Sequence, residues 1–164
     1  MAELDIMEVL TIEKWKMPVY VSFAFNHARY NDFKFTTVRN GVITEGNLKG
    51  HHIENAPASI LRAGWGLEHK KFQLNLQFSR VSSFYTDAQN TETASANAQT
   101  GKISGYSVWD LNNSIPVYKQ IIVRFSINNI LNKTYATRRA GGYPGPGILP
   151  ADGRNFMIAL SAIF

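Results

Sequence analysis

Phe72-Gln73-Leu74-Asn75-Leu76-Gln77-Phe78-Ser79 sets four apolar side chains against four polar ones in strict alternation. A strand turns successive side chains to opposite faces, so this stretch predicts a strand with one apolar and one polar face. Upstream, Leu61, Ala63, Trp65 and Leu67 alternate with Arg62, Gly64, Gly66 and Glu68, and His69-Lys70-Lys71 leaves room only for a tight turn. The two limbs therefore form a hairpin. The same period continues outward. Val19, Val21, Phe23 and Phe25 oppose Tyr20, Ser22, Ala24 and Asn26, and Trp109, Leu111 and Ile115 oppose Asp110, Asn112 and Ser114. After a turn at Pro116 to Lys119, Ile121, Val123, Phe125 and Ile127 oppose Arg124, Ser126 and Asn128. The last segment places Phe156, Ile158, Leu160, Ala162 and Phe164 on one face.

Seven strands are predicted, at about 2–12, 18–33, 58–68, 72–86, 106–115, 121–131 and 154–164. The first is the least regular, because Leu4, Ile6 and Leu10 share their face with Glu8. Alternation alone fits a soluble sandwich as well as a membrane barrel. Loop length separates them. Connections at about 13–17, 69–71 and 116–119 are short, whereas those at about 31–57, 87–104 and 133–154 run to about twenty residues. Short and long alternate without exception, as in outer-membrane barrels with periplasmic turns and extracellular loops. The reading is all-β: an antiparallel up-and-down meander forming part of a transmembrane barrel. An odd strand count with the C-terminus on the periplasmic side implies that further strands precede these.

Composition agrees. The 164 residues are 45% hydrophobic, with ten Phe, seven Tyr and three Trp, yet none of the apolar runs approaches the ~18 residues of a membrane helix. Cysteine is absent, which removes disulfides and thiolate metal sites. The net charge of +5 is spread over single basic residues, with only Lys70-Lys71 and Arg138-Arg139 adjacent, so no nucleic-acid footprint is expected. The first residues, Met1-Ala2-Glu3-Leu4-Asp5, carry no export signal. His27 and His51-His52 lack partners at ligand spacing, Asp87, Glu92 and Asp110 make no catalytic pair, and neither a metal, a cofactor nor an enzymatic site is implied.

Several blocks together resemble one family. They are Glu54-Asn55-Ala56-Pro57; Phe84-Tyr85-Thr86-Asp87 with Asn90-Thr91; and Gly101-Lys102-Ile103-Ser104-Gly105-Tyr106-Ser107-Val108-Trp109-Asp110-Leu111. Asn128-Asn129-Ile130-Leu131-Asn132-Lys133-Thr134-Tyr135 and Gly153-Arg154-Asn155-Phe156 complete the set. Their order and spacing resemble the C-terminal barrel region of TonB-dependent receptors, particularly ferric citrate and other ferric siderophore transporters. Ser104 departs from the pattern, standing where the family usually has Pro. The resemblance covers nearly the whole chain. It implies a barrel of about 22 strands, of which residues 1–164 would supply roughly the last third, without the plug domain, the TonB-binding segment or the N-terminal barrel strands.

What the resemblance implies about function is transport: uptake of a ferric siderophore or a similar nutrient through the outer membrane, with TonB, the barrel-assembly machinery and outer-membrane lipid and lipopolysaccharide as partners. Phe156, Ile158, Leu160 and Phe164 resemble the assembly signal of a last strand; an apolar face is needed there in any case. Arg138, Arg139 and Tyr143 are the candidate ligand contacts, since guanidinium forks bind oxyanions, and a solvated loop is the competing reading. Asp110 and Asn128-Asn129 are expected to be structural, on the lumen side. Trp15, Tyr20, Tyr30, Phe84, Tyr85, Tyr106, Trp109, Tyr118 and Tyr135 fit interfacial girdles. Two rivals remain: a self-contained small outer-membrane barrel, and a soluble β-sandwich or lipocalin-like binding module.

Overall fold

The structure, a computed structural model, describes residues 1–142 and 145–162, and of Arg39 the backbone alone. In chain order the strands are β1 (Ala2–Ile12), β2 (Trp15–Phe25), β3 (Lys34–Arg39), β4 (Val42–Asn47), β5 (Ser59–His69) and β6 (Phe72–Val81). Then follow β7 (Tyr106–Tyr118), β8 (Ile121–Asn128), β9 (Ala136–Ala140), β10 (Gly147–Pro150) and β11 (Asn155–Ala162). Seven of them make one sheet in the order β1-β2-β5-β6-β7-β8-β11, with every neighbouring pair antiparallel. β3–β4 and β9–β10 are separate two-stranded hairpins inside the long connections.

Register carries the alternation across the whole sheet. Glu8, Val19, Trp65, Leu76, Leu111, Ile127 and Phe156 fall in one row on one face. The adjacent row, Met7, Tyr20, Gly64, Gln77 and Asp110, lies on the other. Close packing tightens the polar face at Gly64: a Cβ there would collide with the Tyr20 ring of the neighbouring strand, so only glycine lets the ring lie flat.

Among the described residues the apolar face has no covering layer. Phe23, Trp65, Phe156, Ile158 and Leu160 are all more than a third exposed, Ile158 by 73%. A contiguous apolar surface of this kind marks contact with something other than water. The buried apolar residues instead sit at the long-loop end, where Leu48 and Ile103 are nearly inaccessible and Phe84 is 8% exposed.

Several boundaries differ from the sequence expectation. β2 starts at Trp15, before Pro18, and β7 runs on through Pro116 with a bulge between Pro116 and Tyr118, so the two-residue turns are Glu13-Lys14, Lys70-Lys71 and Lys119-Gln120. β2 ends at Phe25 rather than 33, because residues 28–30 leave β5 and pair with 51–53 instead. β6 stops at Val81 rather than 86; pairing resumes once, at Phe84 and Ile103. β8 stops at Asn128 rather than 131, because Asn129 takes a left-handed conformation, φ 53°. Phe164 lies outside the described residues.

The residues expected in the girdles fall in different places. Trp15 packs on His69 at 4.7 Å and edge-on to Phe72 at 5.9 Å at the short-turn end, where Tyr118 is also exposed. Tyr20 instead covers Gly64 on the polar face, Phe84 is buried among the loops, and Tyr106 stacks on Tyr135 at 4.3 Å. Trp109 packs against Phe78 at 4.7 Å. A sandwich needs a second sheet facing the first, and a closed small barrel needs β1 against β11. Among the described residues there is one large sheet, and each of those strands has a single neighbour.

Candidate functional site

All three long connections leave the same end of the sheet, and specific hydrogen bonds tie them into one surface. Asn90, left-handed at φ 56°, accepts the His52 backbone N–H at 2.6 Å and donates its amide to the His52 carbonyl at 2.8 Å. The Asn55 N–H donates to the Tyr85 carbonyl at 2.7 Å, and the His51 ring Nδ1 meets the Ala88 carbonyl at 3.1 Å. These bonds join the first loop, residues 26–58, to the second, 82–105. Arg139 joins the second to the third, 129–154: its guanidinium donates to the Gly101 carbonyl at 3.1 Å and to the Ala98 carbonyl at 2.9 Å. Gln99 donates to the Gly141 carbonyl at 3.1 Å nearby.

The third loop is anchored to the sheet by Asn129, the one buried polar residue among those described, 3% exposed. Its N–H donates to the Asp110 carboxylate at 2.8 Å; its side chain accepts the Lys133 N–H at 2.8 Å and donates to the carbonyls of Lys133 and Asp152. Asn132 accepts the Arg154 N–H at 2.9 Å. Two sequence blocks about twenty residues apart thus lock one turn, and the structural role expected of Asp110 and Asn129 has its geometry.

Charge is arranged locally. Tyr85 donates to Glu92 at 2.5 Å, Lys102 pairs with the same carboxylate at 3.1 Å, and the Lys102 ammonium lies 5.0 Å over the Tyr85 ring. The tyrosine hydrogen bond and then Lys102 hold the Glu92 carboxyl below the usual range, while the bond to Glu92 raises both Tyr85 and Lys102. Burial, then the nearby Arg29, lowers His52, whose ring lies 5.8 Å from that of Tyr85. Tyr30 donates to Glu54 at 2.7 Å and is raised by that bond.

Of the candidate contacts, Arg138 is exposed on β9, Arg139 is half-buried in the cross-tie, and Tyr143 lies outside the described residues. Phe156, Ile158 and Leu160 lie on the exposed apolar face of β11. No group of three or more His, Cys, Asp or Glu side chains gathers among the described residues. Sequence reasoning missed the Asn90 clasp and the Arg139 tie. Asn90 lies just after Phe84-Tyr85-Thr86-Asp87, but nothing in its neighbours announces a partner about forty residues away.

A meander with an exposed apolar face, a polar opposite face, two-residue turns at one end and tied loops at the other is the shape of a barrel wall. The family described as TonB dependent receptor-like, beta-barrel, matches residues 2–130. The chain belongs to that family. No curated protein sequence matches it. Solved structures share the fold at low identity. The siderophore receptor PiuA from Acinetobacter baumannii is 18% identical with a TM-score of 0.73, over 98% of this chain and 21% of that one. The ferric citrate transporter FecA in unliganded form is 19% identical with a TM-score of 0.68, over 90% of this chain and 21% of that one. The outer membrane transporter YddB from Escherichia coli is 14% identical with a TM-score of 0.62, over 99% of this chain and 24% of that one. The chain therefore spans about a fifth of the length of the first two. In an outer-membrane barrel, an apolar strand face is the lipid-facing side and a polar one the lumen side.

Proposed function

We infer that the chain forms C-terminal wall and extracellular loops of an outer-membrane receptor that takes up a ferric siderophore, such as ferric citrate, or a similar scarce nutrient. The observation that carries this reading is the open seven-stranded meander whose long connections are tied into one surface at a single end. Among the described residues both outer strands have a free edge, β1 on one side and β11 on the other, and a barrel leaves no such edges, so in this reading further strands complete the wall. In that assembly a plug gated by TonB closes the lumen, and the loops meet the ligand first. Arg138 and Tyr143 are the proposed contacts on the third loop. Arg139 contributes by positioning them, with the fork capacity its two carbonyl bonds leave free. The apolar residues Phe156, Ile158 and Leu160, with Phe164, are proposed as the signal by which the assembly machinery recognises the last strand. The test is uptake of radiolabelled iron by iron-starved cells making the receptor, offered ferric citrate or a ferric catecholate. Energy-dependent uptake that an Arg138→Ala exchange weakens supports the reading. Uptake equal to that of cells lacking the receptor, for every ferric chelate offered, overturns it.

A further inference from the structure

The lipid-facing surface carries one cationic feature that the transport reading leaves unused. Phe23, Leu61, Arg80 and Ser107 form a single row across β2, β5, β6 and β7 on the apolar face, near its extracellular end. Arg80 thus projects from the face that elsewhere presents mainly Phe, Leu, Ile, Val and Trp. A charged side chain in contact with lipid is costly at depth and tolerable near the interface, where its head meets polar groups. Over this row opens a cleft of about 750 Å³. Phe23, Leu61, Arg80, Ser83, Ser107 and Lys133 line it, together with Val81 and Tyr106 at the strand ends. None of the residues lining it is a carboxylate. Among the described residues neither the Arg80 guanidinium nor the Lys133 ammonium has a hydrogen-bond or salt-bridge partner.

We propose that this cleft binds the phosphorylated headgroup of an outer-leaflet lipid, with Arg80 and Lys133 on the phosphate and an acyl chain along Phe23 and Leu61. Two cations with hydroxyl donors and no opposing carboxylate suit a phosphate, which a guanidinium fork grips bidentately. Phe23 and Leu61, side by side on the apolar face, suit an amphiphile rather than a free ion. The site rests on the barrel reading above, since it requires this face to meet lipid.

The experiment uses the receptor made in the outer membrane of a Gram-negative host and extracted in mild detergent. Native mass spectrometry reads the retained lipid, and titration with lipid A, a zwitterionic phospholipid or inorganic phosphate reads preference. A retained phosphorylated lipid, about tenfold weaker in the Arg80→Gln/Lys133→Gln double variant and unchanged in Lys70→Gln/Lys71→Gln at the opposite end, is the expected result. Equal retention by wild type and the Arg80→Gln/Lys133→Gln variant overturns the site, as does displacement by inorganic phosphate as readily as by lipid A. A properly inserted, heat-modifiable barrel that retains no lipid overturns this site alone. A chain that never enters the membrane overturns the barrel reading with it.

Discussion

Asn129 donates its backbone N–H to the Asp110 carboxylate across the β7–β8 pair at 2.8 Å, and the same residue's side chain closes the turn to Lys133 and Asp152. One left-handed residue therefore ends a strand, starts a loop and fixes where that loop returns as β11. Asparagine is suited to both tasks, since it tolerates positive φ and its amide both donates and accepts. Replacing Asn129 by Ala strands the Lys133 N–H and two carbonyls and places a Cβ residue without compensating bonds at φ 53°. The expected loss is about 2–4 kcal/mol. Urea unfolding of the detergent-solubilised receptor measures it, and an Asn129→Ala variant within 0.5 kcal/mol of wild type, roughly the scatter of neutral surface substitutions, would refute this role.

Gly64 and Tyr20 make a second prediction, on the polar face. Because a Cβ at position 64 overlaps the Tyr20 ring, Gly64→Ala forces the ring off the sheet and destabilises the β2–β5 pair by about 1–3 kcal/mol. Combining it with Tyr20→Ala removes the clash, so the double variant is less destabilised than the sum of the two singles. Strict additivity in a double-mutant cycle would show that ring and glycine do not touch.

Both contacts bear on how much was legible in the sequence. A period of two read the faces correctly because side-chain direction in a strand needs no knowledge of partners: every apolar row of the sheet follows from it. Strand ends were less legible, for identifiable reasons. Pro18 and Pro116 read as boundaries since proline lacks an N–H, yet both lie inside strands near the short-turn end, Pro18 opposite Val9. Residues 28–30 keep an extended backbone but change partner, which alternation cannot register. The hairpin β3–β4 does carry a local signal, Asn40-Gly41 at φ 51° and 78° between Thr36-Thr37-Val38-Arg39 and Val42-Ile43-Thr44, but it lies inside a long polar loop. The loop ties were not legible at all. Arg139 and Asn90 bond backbone carbonyls and amides about forty residues away, and a backbone group looks the same at every position of a sequence.

The clasp between the first two loops is expected to weaken in acid. Burial and the neighbouring Arg29, His27 and Lys102 lower the His52 pKa below its ordinary 6.5, so the docked loops favour the neutral ring. The sign follows from linkage. An undocked His52 takes up its proton first as the pH falls, so the docked state is at full strength above about pH 7 and loses stability as the pH drops from the ordinary 6.5 to the lowered value. Glu92, whose carboxyl is held low by Tyr85 and Lys102, acts in the same direction at still lower pH. Hydrogen exchange of residues 51–55 and 85–91 should be slower at pH 8 than at pH 5 after correction for the intrinsic rate. A His52→Gln variant should lose most of that difference, and one that kept it in full would remove His52 as the cause.

Adjacent arginines of β9 are expected to separate under substitution. Arg139 spends two donors on the carbonyls of Ala98 and Gly101, whereas Arg138 is exposed. Removing the Arg139 side chain leaves partly buried acceptors to be satisfied by water, at a cost of about 1–3 kcal/mol that falls on loop docking rather than on the barrel wall. Arg139→Ala should therefore speed hydrogen exchange of residues 95–101 while leaving exchange of β5 and β6 unchanged. Arg138→Ala should leave both unchanged and weaken only binding of the ferric ligand, because an exposed guanidinium orders nothing in the unliganded chain. Arg139→Lys restores the charge but not the fork, and one ammonium does not reproduce the paired Nε and Nη1 bonds, so its loops should exchange nearly as fast as those of Arg139→Ala. If Arg138→Ala loosened the loops as much as Arg139→Ala did, the cross-tie would not be the structural element argued for it. Ligand binding unaffected by Arg138→Ala would leave the third loop as scaffold alone.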